Sequence, residues 1–251
     1  MNEFTKRFNE TDFLKGLYDF TFRDDIGFMV LDEMNLARVE YYFAEVLSVL
    51  EMHDPNEWKV DVVPDVWETD PVNLMEGKCK VGTNVWFVGT ANNDDSTFSI
   101  TDKVYDRAIP IQLDTKGIPF ECEDCPPTQI EAAYLHKLFS DAKVEYALSE
   151  DVFNKLEALD LYVIENFRLA FGNRIMRQIK EFVPVYVACG GTELDGMDYM
   201  LTYKIFRKFE NLNVAFMQDN LKKLIVHLEK VFGKNKTPLA KAYIERLMKM
   251  S

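Results

Sequence analysis

The chain has 251 residues, 47% of them hydrophobic, enough for one ordinary domain or two small ones with a core each. With 28% charged residues, 11 glycines and 9 prolines, it is neither a disordered tail nor a fibrous repeat. Its 29 basic and 42 acidic residues give a net charge of −13, which excludes nucleic-acid binding through the overall field.

That average hides a gradient: residues 203–251 hold 11 Lys/Arg against 4 Asp/Glu. Four cysteines and no signal-peptide pattern read as reduced thiols, and no stretch reaches the roughly 18–20 uninterrupted apolar residues of a membrane span. A soluble, cytoplasmic protein without a membrane partner is expected.

Taken in order, residues 12–20 carry helical spacing of Phe13, Leu14, Leu17 and Phe20 behind Thr11, a good N-cap. The apolar run 27–31 reads as a buried strand that stops at two adjacent acids, Asp32 and Glu33. From residue 38 to 50, Val39, Tyr42, Phe43, Val46, Leu47 and Leu50 form a helical stripe. Residues 51–83 contain Pro55, Pro64 and Pro71 and alternate polar with apolar from Trp58, which predicts a β-hairpin-like insertion. Residues 84–89 form a second apolar run, ending in the polar group 90–95, and residues 108–113 read as a third strand whose Pro110 places it at an edge. Polar residues gathered at strand ends are how open parallel sheets place ligands.

Beyond Gly117 the pattern becomes helical, with candidates at residues 128–139, 149–167, 173–187, 192–209, 214–232 and 238–248. Thr192 followed by Asp195 resembles a capping box, and Thr237 before Pro238 is a further start signal. The expected organisation is an α/β part over residues 1–117 and an all-α part over 118–251.

Asp32 and Glu33 are the first candidates for chemistry. Two strand-end carboxylates can serve solubility alone. They can also divide the labour of nucleoside triphosphate hydrolysis, one associating with hydrated Mg2+ and the other orienting a water. Asn92, just past the second apolar run, could position the same water if the strands are neighbours.

Residues 28–43 (FMVLDEMNLARVEYYF) resemble the Walker B strand and following helix of AAA+ ATPases, closest to the branch of McrB restriction NTPases and MoxR and dynein-related modules. Residues 85–108 (VWFVGTANNDDSTFSITDKVYDRA) resemble the sensor 1 strand and the approach to the arginine finger of that family. The resemblance implies a partial AAA+ P-loop NTPase core with a parallel sheet, followed by a helical lid. It makes Asp32 the Mg2+-associated acid, Glu33 the residue that polarises water, and Asn92 the sensor 1 residue. Arg107 falls where the family's arginine reaches a neighbouring subunit's nucleotide, although a surface salt bridge to Asp102 or Asp106 would also suit it. Residues 171–174 (FGNR) resemble the start of the sensor 2 helix, making Arg174 a phosphate contact, with Arg177 one turn on as its rival. Mg2+ and ATP or GTP are the implied cofactor and substrate, and a ring, commonly hexameric, the implied assembly. A nuclease or effector subunit and a nucleic-acid-directed role such as restriction are the implied partners.

No G-x-x-x-x-G-K-[ST] occurs in the chain. The nearest fragment, residues 233–237 (GKNKT), lacks the first glycine and the Ser/Thr after Gly-Lys. The expectation is that the chain represents the C-terminal portion of a longer AAA+ protein and is inactive alone. A non-catalytic AAA+-like scaffold is the alternative. Cys122 and Cys125 have C-x-x-C spacing but no second pair at zinc-site spacing; His53, His136 and His227 lie far apart. The basic C-terminal helices read as a solvated face that could also touch nucleic acid or an acidic partner.

Overall fold

The computed structural model describes residues 10–92, 97–113 and 116–249 and shows an α/β protein. The elements run α1 (Asp12–Asp19), β1 (Gly27–Leu31), α2 (Val39–Tyr42), α3 (Ala44–Val49), β2 (Lys59–Asp61), β3 (Leu74–Met75), β4 (Lys78–Lys80), β5 (Val85–Gly89) and α4 (Asp102–Tyr105). Then follow α5 (Ala132–Glu145), α6 (Glu150–Phe167), α7 (Gly172–Ala188), α8 (Glu193–Met200), α9 (Val214–Phe232) and α10 (Pro238–Lys249). Two compact units emerge, Met1–His136 and Lys137–Ser251. Among the described residues, no helix is long and apolar enough to cross a membrane.

In the first unit, the Thr11 hydroxyl accepts the Leu14 N–H at 3.2 Å and so starts α1, whose Leu17 is fully buried. β1 and β5 pair in parallel, with Gly27 opposite Val85 and Leu31 opposite Gly89. Alternation sends Met29 and Val85 inward, where Phe43, Val46 and Leu47 meet them. The predicted insertion is a three-stranded antiparallel sheet of order β2-β4-β3.

Two expectations for this unit differ from the structure. The helix predicted over residues 38–50 breaks at Phe43, whose φ of −112° and ψ of 4° leave the helical region and separate α2 from α3. No strand forms over residues 108–113. A strand must pass its N–H and C=O groups to a neighbour. Pro110 has no N–H to give, no described strand pairs with this segment, and Ile111 and Leu113 stay exposed.

The units divide after His136, later than the expected boundary near residue 117. The Ile26 N–H donates to the Ile130 carbonyl (2.9 Å) and the Ala132 N–H to the Asp24 carbonyl (2.8 Å), returning residues 130–132 to the edge of the first unit. The first unit holds 11 basic and 27 acidic residues, and the second 18 and 15.

The second unit is all helical, and α6, α7, α9 and α10 match the predicted segments to within a residue or so. Ser149 and Thr192 hydroxyls cap α6 and α8, accepting N–H bonds from Val152 and Asp195. Leu156, Leu159, Val163 and Phe167 on α6 face Leu221, Leu224 and Leu228 on α9 in one core cluster. The helix predicted over residues 192–209 stays α-helical only to Met200, then widens into a π turn (Leu201–Ile205) and tightens into a 3-10 turn (Phe206–Asn211). The Thr202 hydroxyl donates back to the Asp198 carbonyl at 2.7 Å, a bond that loosens helices.

Asp198 ties α8 to α10. Its two carboxylate oxygens accept the N–H groups of Leu239 (2.7 Å) and Ala240 (2.9 Å), the first-turn donors of α10. Burial opposes the charge more strongly than these bonds favour it, and pushes the Asp198 carboxyl from 3.8 up to about 6. A carboxyl raised in the folded state favours folding while protonated, so its contribution is present below pH 3.8 and lost as pH rises through about 6.

Replacing Asp198 by Ala should cost about 2–3 kcal/mol, because two buried donors lose their acceptor. Relative to Asp198→Asn, which cannot titrate, the wild-type chain should lose up to about 3 kcal/mol of stability between pH 4 and pH 7. Chemical denaturation followed by far-UV circular dichroism measures both, and a pH-independent difference would refute the titration.

Candidate functional site

The parallel register of β1 and β5 sets the ends of the two strands side by side, and the loops that leave them carry polar residues from two parts of the sequence. The Thr90 N–H donates to the Leu31 carbonyl at 3.0 Å and extends the ladder one step past Gly89. The Thr90 hydroxyl donates to Asp32 Oδ1 at 2.5 Å and accepts the Glu33 N–H at 2.8 Å, while the Thr90 carbonyl accepts the Met34 N–H at 2.9 Å. One residue thereby fixes Asp32, Glu33 and Met34. Gly89 leaves room for the Met34 side chain: a Cβ there would lie 2.0 Å from the Met34 sulfur, which would have to shift.

Glu33 turns the chain with φ 49° and ψ 43°, a left-handed conformation unusual for a non-glycine residue. Its carboxylate is exposed and makes no hydrogen bond or ion pair among the described residues. The turn leads into Asn35, which is 4% exposed. The Asn35 side-chain amide donates to the carbonyls of Asn92 (2.7 Å) and Phe98 (3.1 Å), and its backbone carbonyl accepts the Phe98 N–H (2.9 Å). Asn35 thus joins the loop after β1 to both sides of the loop after β5. Its Oδ1 is buried without a hydrogen-bond partner, a cost of about 1–3 kcal/mol that the fold carries.

Asn92 is exposed, and its carbonyl also accepts the Thr97 hydroxyl at 2.9 Å. The later part of the predicted polar run, residues 93–96, lies outside the described residues. Glu40 on α2 accepts the Thr101 N–H at 3.1 Å, and hydrogen bonding from Thr101 holds its carboxyl below the usual range.

Arg107 follows α4 and is turned onto its own chain. Its guanidinium forms a 2.8 Å ion pair with Glu51, at the end of α3, and donates to the Lys103 carbonyl, while its Nε is buried without a partner. Glu51 is a partner that sequence reasoning had not considered. Arg174 and Arg177 lie in the second unit, in the first two turns of α7, and both are exposed. Cys122 and Cys125 are exposed, and His136 Nε2 lies 3.1 Å from the Thr83 carbonyl.

Two carboxylates beside hydroxyl and amide groups can hold a hydrated cation and a water, but they cannot make a closed metal cage. Among the described residues, no group of three or more His, Cys, Asp or Glu is placed to hold a metal ion. Mg2+ asks for less, since it keeps most of its waters and takes one or two carboxylates plus substrate phosphates. Asp32, an exposed residue with one carboxylate oxygen on the Thr90 hydroxyl, fits that habit.

Thr90 and Asn35 are the residues that sequence reasoning missed. The only signal was polarity where a strand ends, and for Asn35 a lone amide between apolar neighbours. Comparisons of the chain with protein-family models, curated proteins and solved structures return no match.

Asn35→Ala should destabilise the first unit by about 1–3 kcal/mol, since it strips two carbonyls of their donor. All three tryptophans, Trp58, Trp67 and Trp86, belong to that unit, so tryptophan fluorescence in a urea titration reads it separately. An unchanged midpoint would mean the clamp contributes nothing.

Proposed function

We propose that this chain carries the water-activating and sensor portion of an AAA+-type nucleoside triphosphatase site. The observation that carries the reading is that Asp32 and Glu33 meet Thr90, while Asn35 of the same loop holds the Asn92 carbonyl, at the ends of adjacent parallel strands, residues about 60 apart in sequence. Such strand ends are where open α/β sheets bind ligands, and the motif order of the resemblance agrees with it.

In this reading Asp32 holds Mg2+ through water, and Thr90 keeps that carboxylate oriented. Bound Mg2+ neutralises charge that develops on the phosphates. Glu33, whose exposed carboxylate makes no hydrogen bond or ion pair among the described residues, accepts hydrogen bonding from the attacking water. Asn92 offers an amide to the same water, and Asn35 holds its backbone in place. Arg107 acts on the nucleotide of a neighbouring copy in a ring, commonly a hexamer, once it leaves Glu51. Arg174, or its rival Arg177, is the arginine this reading assigns to phosphate. ATP or GTP is the substrate, and a nuclease or effector subunit with a role such as restriction is the partner class.

The phosphate cradle is absent from these 251 residues, since no G-x-x-x-x-G-K-[ST] occurs in them. The backbone N–H groups and lysine that bind nucleotide in the ground state must therefore come from other polypeptide. The same absence, together with an Arg107 engaged by its own chain, favours a second reading: a non-catalytic scaffold of the same fold.

Calorimetry with Mg2+ and ATP or GTP should give dissociation constants weaker than about 1 mM for the 251-residue chain. Micromolar binding abolished by Asp32→Asn would overturn the assignment of the cradle. In an assembly that includes a phosphate loop, Glu33→Gln should retain nucleotide binding and lower turnover by about 100-fold or more. Turnover unchanged by that substitution, or absent from every such assembly, would leave the scaffold.

A further inference from the structure

Residues 116–130 are all exposed, and none of them belongs to a helix or a strand. Their anchor is the Ile130 carbonyl, which accepts the Ile26 N–H at 2.9 Å. Among the described residues, the one hydrogen bond made by residues 117–129 runs from the Cys125 thiol to the Glu123 carbonyl at 3.8 Å. Cys122 and Cys125 lie in this stretch, three positions apart and both exposed. A disulfide needs Cα atoms about 4.4–6.8 Å apart, which a turn over four residues provides. A stretch without ladder bonds or buried side chains gives up no folded structure to make that turn.

The other cysteines are placed differently. Cys79 on β4 is fully buried, and burial pushes its thiol up. Cys189 is exposed but is the one cysteine of the second unit. Two thiols are too few for a metal cage, and among the described residues no third His, Cys, Asp or Glu is placed to complete one. Glu121, Glu123 and Asp124 surround the pair with negative charge, exposed and without an ion pair among the described residues.

We propose that Cys122 and Cys125 form a reversible disulfide pair, oxidised by small-molecule disulfides, and that the three acids around them favour cationic ones. One thiolate attacks a sulfur of the small disulfide, breaks its S–S bond and releases one small thiol. The second thiolate then attacks the protein sulfur of the mixed disulfide, closes the Cys122–Cys125 bond and releases the other small thiol. Two protein thiols are oxidised, one small disulfide is reduced, and the two protons pass to the departing thiolates. Closure fixes a turn in the stretch that leads into α5, so the redox state sets the shape of this stretch. The inference rests on exposure, spacing and charge and does not depend on the nucleotide reading.

Cystamine, a cationic disulfide, and oxidised glutathione, an anionic one, are the probes, applied to the 251-residue chain and read by peptide mass mapping after alkylation. With about 1 mM of the matching reduced thiol present, the peptide holding Cys122 and Cys125 should lose two hydrogens. It should do so at a cystamine concentration at least about 10-fold below that at which Cys189 takes up a mixed disulfide, because ring closure is intramolecular. Cys122→Ser should remove this advantage and leave Cys125 modified at about the concentration that modifies Cys189. The ratio of the cystamine rate to the glutathione rate should fall at least about 3-fold between low salt and about 1 M salt, where charges are screened. Mixed disulfides on both cysteines in place of the ring, or a pair no more readily oxidised than Cys189, would overturn the pairing. A rate ratio indifferent to salt would overturn the selectivity.

Discussion

Two parallel strands joined by five residue pairs are too little sheet to hold two loops in place, so the first unit depends on what happens one residue beyond the ladder. There the Thr90 hydroxyl stands between the Asp32 carboxylate and the Glu33 amide, and the buried Asn35 amide takes two carbonyls from the opposite loop. These are polar groups that would otherwise be orphaned at a strand end. Satisfying them in cross-strand fashion makes the strand ends a single unit. The positions of Asp32, Glu33 and Asn92 follow from that satisfaction more than from apolar packing.

The second unit reaches rigidity by another route. Its core is a continuous apolar cluster, and polar groups act at helix ends: Ser149 and Thr192 within their own turns, Asp198 from a different helix. Asp198 shows the tension in such an arrangement. The N-terminus of α10 wants a negative charge, whereas the apolar surroundings resist one, and the raised carboxyl measures how the balance falls. The π turn that follows α8 is a local adjustment that lets Leu201, Ile205 and Phe206 all reach the core.

What could be read from residue order follows the range of the interactions involved. The helices of the second unit were legible because their stripes and caps are local, repeating every three or four residues. Strands β1 and β5 were legible as apolar runs, and the acids at the end of β1 as candidates. Residues 108–113 look equally strand-like in isolation, but a strand exists only with a partner, and partners are not local. The break at Phe43 had no marker, since no glycine or proline announces it. Thr90, Asn35 and Glu51 act across 56 to 63 residues through single hydrogen bonds or ion pairs, and such contacts leave no periodic trace. The site's chemical groups were thus visible in sequence, whereas the residues that position them were not.

The left-handed backbone at Glu33 has a bearing on how the site could be redesigned. An L-residue with a long side chain gives up about 1 kcal/mol there that glycine would not. Stability alone would favour glycine at that turn, or asparagine, either of which tolerates the conformation. A glutamate whose carboxylate is exposed and makes no hydrogen bond or ion pair among the described residues gives no folding advantage in return. A stability-guided redesign of this chain would therefore replace that residue first, and would remove with it one of the two acids at the end of β1.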